Sequence, residues 1–271
     1  MQESTGTPPV ALTIAGTDSG GGAGVAADLR TFAAHRVFGT LAVTAVTAQN
    51  TEGVRAVHVL DADLVAAQID AVVDDLAPRA AKTGMLATPG IVAMVTSKAH
   101  EGALPPIVVD PVLVASSGDP LFEGSGTAEA YRVLASVAAV ITPNLPEASL
   151  LVGRPIADLE AMEAAARELH DLGGALVVVK GGHRRGADAI DVVYDGRTIS
   201  HLSAPWVDTR NVHGTGCSYS AAIAANLALG EDPLRAAMLA KEYVHRAITL
   251  AASWELGRGH GPIDHLGAAG A

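Results

Sequence analysis

The sequence predicts a three-layer α/β/α fold, in which a mostly parallel central sheet carries helices on both faces. Three observations lead there. Short apolar, β-branched runs alternate along the whole chain with longer stretches that carry apolar residues at helical spacing. The strand runs are apolar residue after residue, as suits strands covered on both sides. Polar residues also collect where those runs end, at Asp18, Gln49-Asn50, Asp110, Asn144 and Lys180. Open parallel sheets bind ligands beyond the carboxyl ends of their strands, so the pattern that predicts the fold also predicts where a site lies.

Residues 1–9 read as a loose, flexible tail, and residues 10–271 as one domain. Val10–Ala15 is the first buried strand. A glycine-rich loop follows it through Gly24, and a helix then runs to about Val37, giving the strand–loop–helix opening of a βαβ unit. The next strand is expected over Leu41–Thr47, with another over Val54–Leu60. Asp61 is placed to cap a helix through about Leu76, with Leu64, Val65, Ile69, Val72 and Val73 inward. Ala80–Gly84 holds a short strand, and Pro89 starts a helix with Ile91, Val92, Met94 and Val95 inward. Ile107–Asp110 is a strand with its polar residue at the carboxyl end. A Ser- and Gly-rich loop over 116–119, a helix over 126–137 and a strand over Val140–Thr142 come next. Helices over 145–152 and 158–172 precede the strand Leu176–Lys180. A hairpin turns about Asp195-Gly196. Two helices finish the fold, one from Gly214 to Gly230 and one over 232–253, before the glycine-rich loop at 257–265.

With 271 residues, almost half of them hydrophobic but few aromatic, the chain can bury a sizeable core of aliphatic side chains. One cysteine cannot form an internal disulfide, so a reduced, cytoplasmic setting is expected. No signal peptide or transmembrane run is visible. The net charge of −11 argues against nucleic acid as a partner. It leaves room for a phosphate-bearing small molecule, which a few amides, one lysine and a metal ion can hold.

The stretch His213-Gly214-Thr215-Gly216-Cys217-Ser218 concentrates the chemistry. Two glycines let the backbone bend and bring N–H groups close to a ligand. Those amides sit at the positive end of a helix dipole, a ready site for an anion. Cys217 lies on the first turn, where the same field is expected to favour its thiolate. An anion cradle beside a base suits phosphoryl transfer to a small alcohol. Against this, Gly, Thr and Ser start many helices for capping reasons alone, and a lone Cys is usually a small apolar residue.

Other motifs have equally plain alternatives. Gly22-Ala23-Gly24-Val25-Ala26-Ala27 fits a loose dinucleotide fingerprint, but no acid ends the next strand to hold a ribose, which argues against an NAD-dependent oxidoreductase. No G-x-x-x-x-G-K-[ST] is present, so a P-loop is excluded. Asn144-Leu145-Pro146-Glu147 makes a capping box, and the same residues could hold a hydrated metal and phosphates. Asp110 could simply end a strand, Lys180 could be a solvated charge, and Asp28 suits the start of a helix. Gln49 carries a donor and an acceptor able to read the edge of a heterocycle.

Leu12–Asp18, Gly21–Gly24 and Ala27–Leu29 resemble the opening of the hydroxymethylpyrimidine/phosphomethylpyrimidine kinases of thiamine biosynthesis, members of the ribokinase-like superfamily. Further matches are Ala48–Thr51, Lys82–Leu86, Asp110–Val112, Ser117–Leu121, Thr142–Ala148, Lys180–His183, His213–Ser218 and Gly259–Pro262. They run through nearly the whole chain in one order. Ser19-Gly20 departs from the family, where many members have Pro-Ser, and puts fine substrate preference in question.

The resemblance implies a ribokinase-like kinase using ATP and Mg²⁺. Gln49 would bond the aminopyrimidine, helped by Asp28, with Met85 and Val112 packing on the ring and Gly16 allowing close approach. Cys217 would take the proton of the hydroxymethyl group. The amides of Gly214, Thr215 and Gly216, with Lys180, would steady the transferring phosphoryl group. Asn144 would help hold ATP phosphates, and Asp110 and Glu147 would position Mg²⁺. The same site would phosphorylate the monophosphate to the diphosphate. The expected partners are a pyrimidine substrate and ATP, with no nucleic acid or membrane, in a homodimer. The alternatives are a pyridoxal kinase of the same superfamily or a non-catalytic pyrimidine-binding protein on this scaffold.

Overall fold

A computed structural model describes residues 6–113, 121–122, 126–182 and 188–268. The expected loop over 116–119, most of the Ser117–Leu121 match, His183 and the first five residues of the tail lie outside these. One sheet of eight strands spans the molecule: β1 (Val10–Ala15), β2 (Phe38–Val43), β5 (Ala80–Thr83), β6 (Ile107–Val109), β7 (Val140–Ile141), β8 (Leu176–Val179), β9 (Asp188–Tyr194) and β10 (Ile199–Pro205). Its order is β10-β9-β8-β7-β6-β5-β1-β2. From β2 across to β8 the neighbours are parallel, whereas β8, β9 and β10 pair antiparallel. This three-layer α/β/α architecture with a mostly parallel central sheet is what the sequence predicts.

The pleat sorts side chains between two layers. Leu12, Ile14, Ile107, Val109, Ile141, Val177 and Val179 face helices α2 (Ala62–Leu76), α3 (Pro89–His100), α4 (Thr127–Ala135), α5 (Leu145–Val152) and α6 (Leu159–His170). Ala11, Ala80, Val108, Val140 and Val178 face α1 (Gly24–Ala34), α7 (Thr215–Leu229) and α8 (Pro233–Ala251). Among the described residues no helix is long and apolar enough to cross a membrane.

Three local expectations are corrected. The strand expected over Leu41–Thr47 is two strands, β2 and β3 (Ala45–Asn50), broken at Thr44. There the Thr44 N–H donates to the Ala15 carbonyl and its hydroxyl to the Met85 carbonyl, so the chain is pinned as it leaves the sheet edge. β3 then pairs only with β4 (Gly53–Val59), as an antiparallel ribbon separate from the main sheet. Strand and helix therefore do not alternate throughout. On α2, Leu64 is exposed while Val65 and Ile69 are buried, because the helix turns only one narrow stripe to the sheet. Asp61 occupies the N-cap position of α2 without a side-chain capping bond.

Candidate active site

The pleat decides which strand-end residues can meet. Two residues beyond Ala11, Ala80, Val108, Val140 and Val178, the alternation turns Thr13, Lys82, Asp110, Thr142 and Lys180 toward the layer that contains α7. A polar row thus runs under the start of one alanine-rich helix. The cleft above it has a volume of about 890 Å³ and collects almost every residue the sequence nominated.

Asp110 is the hub of the row. Its Oδ1 accepts from Lys180 Nζ at 2.8 Å and from the Thr142 hydroxyl at 3.2 Å, and its Oδ2 from the Ser220 hydroxyl at 3.2 Å. Burial disfavours the Lys180 charge, but the carboxylates of Asp110 and Glu147 outweigh that and hold the ammonium above its ordinary range. Asn144, paired in a parallel bridge with Lys180, opens α5 with the expected capping box. Its Oδ1 accepts from the Glu147 N–H at 2.9 Å, and the Glu147 carboxylate accepts from the Asn144 N–H at 2.8 Å. Capping and site membership coincide. Burial, and then the nearby Asp110 charge, push the Glu147 carboxyl up to about 7.

The α7 start forms the opposite wall. Gly214 sits at φ +81°, and a Cβ there would lie 1.8 Å from the Gly22 carbonyl oxygen, so no other residue fits. A Cβ on Gly216 would come to 3.3 Å from Lys180 Nζ and 3.9 Å from Asp110 Oδ2, which sets the α7 amides directly over the Asp110–Lys180 pair. Cys217 lines the cleft beside Thr215 and Gly216, and the N–H of Gly24, at the start of α1, favours its thiolate form. The expectation that the helix field leaves it a thiolate is corrected here. Loss of water pushes the thiol up to about 11, against the downward pull of the Lys82 ammonium.

Gly16, Gln49, Met85 and Val112 line the neighbouring part of the cleft. A Cβ on Gly16 would lie 3.0 Å from Met85 Sδ, so the glycine keeps that wall thin. The Gln49 backbone is held on both sides by Ser19, whose hydroxyl donates to its carbonyl at 2.8 Å and accepts its N–H at 2.7 Å. Ser19 is one of the two residues where this chain departs from the family pattern. A proline there could make neither bond.

Asp28 is the nominated residue that the structure does not bring to the cleft. It is fully buried beneath it, where both oxygens accept from Lys82 Nζ, at 3.0 and 2.8 Å, and Oδ2 also accepts from the Thr13 hydroxyl at 2.6 Å. Its bonding capacity is taken up by this pair, and a ring in the cleft does not touch it. Burial opposes the Lys82 charge, but Asp28, with Cys217 and Asp110, raises the ammonium above its usual range, while burial raises the Asp28 carboxyl against the pull of Lys82. In the sequence Lys82 stands out only as part of the Lys82–Leu86 match. Its place in the alternation of β5 was the available signal. Also not foreseen is an apolar arm of the cleft built from Ala204, Trp206, Val207, Val244 and Ile248, with the ion pair Lys241–Asp191 (2.8 Å) at its side. It depends on β10 and α8 meeting across the molecule, which no local pattern reports.

The chain matches a family model and several known proteins over most of its length. The family model described as phosphomethylpyrimidine kinase matches residues 18–264. The hydroxymethylpyrimidine/phosphomethylpyrimidine kinase of Rhizobium meliloti (strain 1021) is 47% identical over 258 residues, covering 95% of this chain and 97% of that protein. The crystal structure of an ADP complex of Bacillus subtilis pyridoxal kinase superposes with a TM-score of 0.87 at 38% identity, covering 96% of this chain and 98% of the other. Phosphomethylpyrimidine kinase from Clostridium difficile 630 gives a TM-score of 0.78 at 37% identity, covering 89% of this chain and 99% of the other.

Proposed function

The chain belongs to the phosphomethylpyrimidine kinase family, and from that premise we propose how its cleft works. It is a phosphotransferase of thiamine biosynthesis. It moves the γ-phosphoryl group of ATP to 4-amino-5-hydroxymethyl-2-methylpyrimidine and then to the resulting monophosphate. The observation that carries the residue assignment is the stacking of the Gly214–Cys217 turn over the Asp110–Lys180 pair, with Gln49 on the same cleft.

In this reading the Gln49 amide pairs with the aminopyrimidine edge while Met85 and Val112 pack on the ring and Gly16 lets it approach. Asp28 takes no part in ring contact and supports Lys82 instead. Cys217, in its ionised form, accepts the proton of the hydroxymethyl oxygen as that oxygen attacks phosphorus and the bond to ADP breaks. The amides of Gly214, Thr215 and Gly216 and the Lys180 ammonium face the charge that develops on the transferring group. Asn144 borders the phosphates, and the apolar arm at Trp206 and Val244 suits the adenine face.

Asp110 and Glu147 fit Mg²⁺. Two carboxylates interact there closely enough for one to raise the other's pKa, and a hydrated divalent ion needs only one or two carboxylates plus substrate phosphates. When bound, the ion neutralises charge on the β- and γ-phosphates. We read residues 10–271 as one kinase domain acting in the cytoplasm. The chain forms a homodimer in the same proposal, the exposed Val46 and Val57 of the β3–β4 ribbon offering apolar surface to a second copy. Analytical ultracentrifugation at micromolar concentration tests that assembly.

The deciding assay is turnover of hydroxymethylpyrimidine, its monophosphate and pyridoxal side by side. A higher kcat/KM for both pyrimidines is expected. Strong preference for pyridoxal would transfer the substrate assignment to the second reading, which the likeness to pyridoxal kinases motivates. Ligand binding without ATP consumption would make the chain a non-catalytic binder.

A further inference from the structure

Two glycine loops meet above the sheet, and one buried hydrogen-bonded pair joins them. The β1–α1 loop contributes Asp18, and the residue that leads into the α7 start is His213, 195 positions away. His213 Nε2 lies 2.8 Å from Asp18 Oδ2, and both side chains are buried. The remaining capacity of Asp18 goes to its own loop. Oδ1 accepts from the Gly20 N–H at 2.8 Å, and Oδ2 accepts from the N–H groups of Gly22 at 3.0 Å and Ala23 at 2.9 Å. Ala23 is the N-cap residue of α1 and has no side-chain capping bond, so Asp18 does from a distance what a capping side chain does locally.

The contacts leave no slack. A Cβ on Gly22 would lie 2.6 Å from His213 Cδ2, and one on Gly24 would lie 2.4 Å from the Gly16 carbonyl oxygen. The His213 backbone is fixed from its other side, where its N–H donates to the Gly261 carbonyl at 3.0 Å. That tail in turn sits on the tip of the β3–β4 ribbon, where the His260 N–H donates to the Thr51 carbonyl at 2.9 Å. Burial alone would raise the Asp18 carboxyl, but the His213 bond and charge and the loop amides hold it below its ordinary value. Asp18 is thus ionised and accepts, and His213 Nε2 carries the donated proton.

We propose that Asp18 and His213 are positioning residues for phosphoryl transfer: their bond locks the β1–α1 loop against the α7 start, so that the Gly24 N–H meets the Cys217 sulfur while the Gly214–Gly216 amides face the transferred group. Neither side chain needs to touch the reacting atoms. The inference rests on Cys217 as the proton acceptor of the kinase reading.

Substitution at position 213 separates positioning from bulk. The bonding atom is Nε2, which a glutamine amide nitrogen can replace and the shorter asparagine cannot. His213→Asn should lower kcat about 10²-fold, as a misplacement on the ångström scale does, with KM for the pyrimidine little changed. His213→Gln should recover most of that loss. Alkylation of Cys217 in the substrate-free enzyme at about pH 9 gives a readout independent of turnover. It should be about 10-fold slower in His213→Asn than in wild type and near wild type in His213→Gln, since loss of one charge-assisted bond disfavours the thiolate. Equal activity of the Asn and Gln variants, a loss confined to KM, or alkylation as fast as wild type in His213→Asn would each overturn the proposal. Should wild type itself fail to turn over pyrimidine and ATP, the kinase reading fails, while the alkylation comparison still decides the clasp. Asp18→Asn, assayed with a thermal melt, guards against a variant that fails to fold: kcat falling while the melt holds supports positioning, and kcat following the melt overturns it.

Discussion

The two faces of the central sheet are built from the same strands and do different things. The face under α2–α6 is packed with Leu, Ile, Val, Met and Tyr131. The face under α1, α7 and α8 meets alanines from the two long helices, among them Ala221, Ala224, Ala225, Ala236, Ala237 and Ala240. Small side chains let α7 approach the sheet closely. At the carboxyl edge that closeness brings the helix start within hydrogen-bond range of Asp110 through Ser220, and over Lys180 and Lys82. The large-residue face stores packing energy, whereas the alanine face places charges.

The comparison is sharpest at Cys217. Cys217→Ala should reduce kcat about 10²- to 10⁴-fold, the range for losing a general base, and leave KM for the pyrimidine unchanged. Because burial pushes the thiol up to about 11 and the ionised sulfur takes the proton, kcat/KM of wild type should climb with pH through neutrality. A plateau below about pH 8 would show that the thiol of the free enzyme ionises earlier than its burial implies. Next comes Lys82→Met, which strands the buried Asp28 carboxylate and should lower stability by about 3–5 kcal/mol in denaturant unfolding. Lys98→Met, at the partly exposed Lys98–Asp70 pair, should change it by no more than about 1 kcal/mol. Similar losses at the two sites would mean that burial adds nothing to the cost of breaking the Lys82–Asp28 pair.

A packing pair then tests the faces directly. Leu134→Ala on the large-residue face should cost about 2–5 kcal/mol with kcat intact. Ala224→Leu should cost about 1–3 kcal/mol and also lower kcat, because it lifts α7 from the sheet. An Ala224→Leu enzyme of full activity would break the link between alanine packing and site geometry. A last effect is acid sensitivity of the α7/α8 face. Burial drops His265 to about 4, below its usual 6.5. The unfolded chain therefore binds the extra proton first as pH falls, and stability is lost on going from 6.5 toward 4. Between about pH 7 and 5 that amounts to roughly 2 kcal/mol, and His265→Gln should flatten the slope. A variant as acid-labile as wild type would place the sensitivity elsewhere.

Much of this molecule is legible from its residues. Val10–Ala15, Val140–Ile141 and Leu176–Val179 announce themselves as buried strands, and Asn144-Leu145-Pro146-Glu147 spells a capping box that the fold contains atom for atom. The pattern at Gly214–Cys217 marked the site because helix starts and glycines have local, sequence-readable physics. Asp28 shows the limit. An acid near a helix start looks available to a ligand, and only the pairing of β1 with β5 shows that Lys82 and Thr13 consume it. The break at Thr44 is invisible for a related reason: β2 and β3 are both apolar and β-branched, and the Ala15 and Met85 carbonyls that part them come from elsewhere in the chain.

By itself the sequence determined which segments are strands and helices, where polar groups stand at strand ends, and which turn can cradle an anion, since each depends on neighbours a few residues away. The tertiary structure alone decided which face of the sheet each polar side chain points to, which carboxylates are consumed by buried partners, and which charges surround Cys217. Burial and charge pairing are set by residues distant along the chain, and that distance closes only when the layers pack.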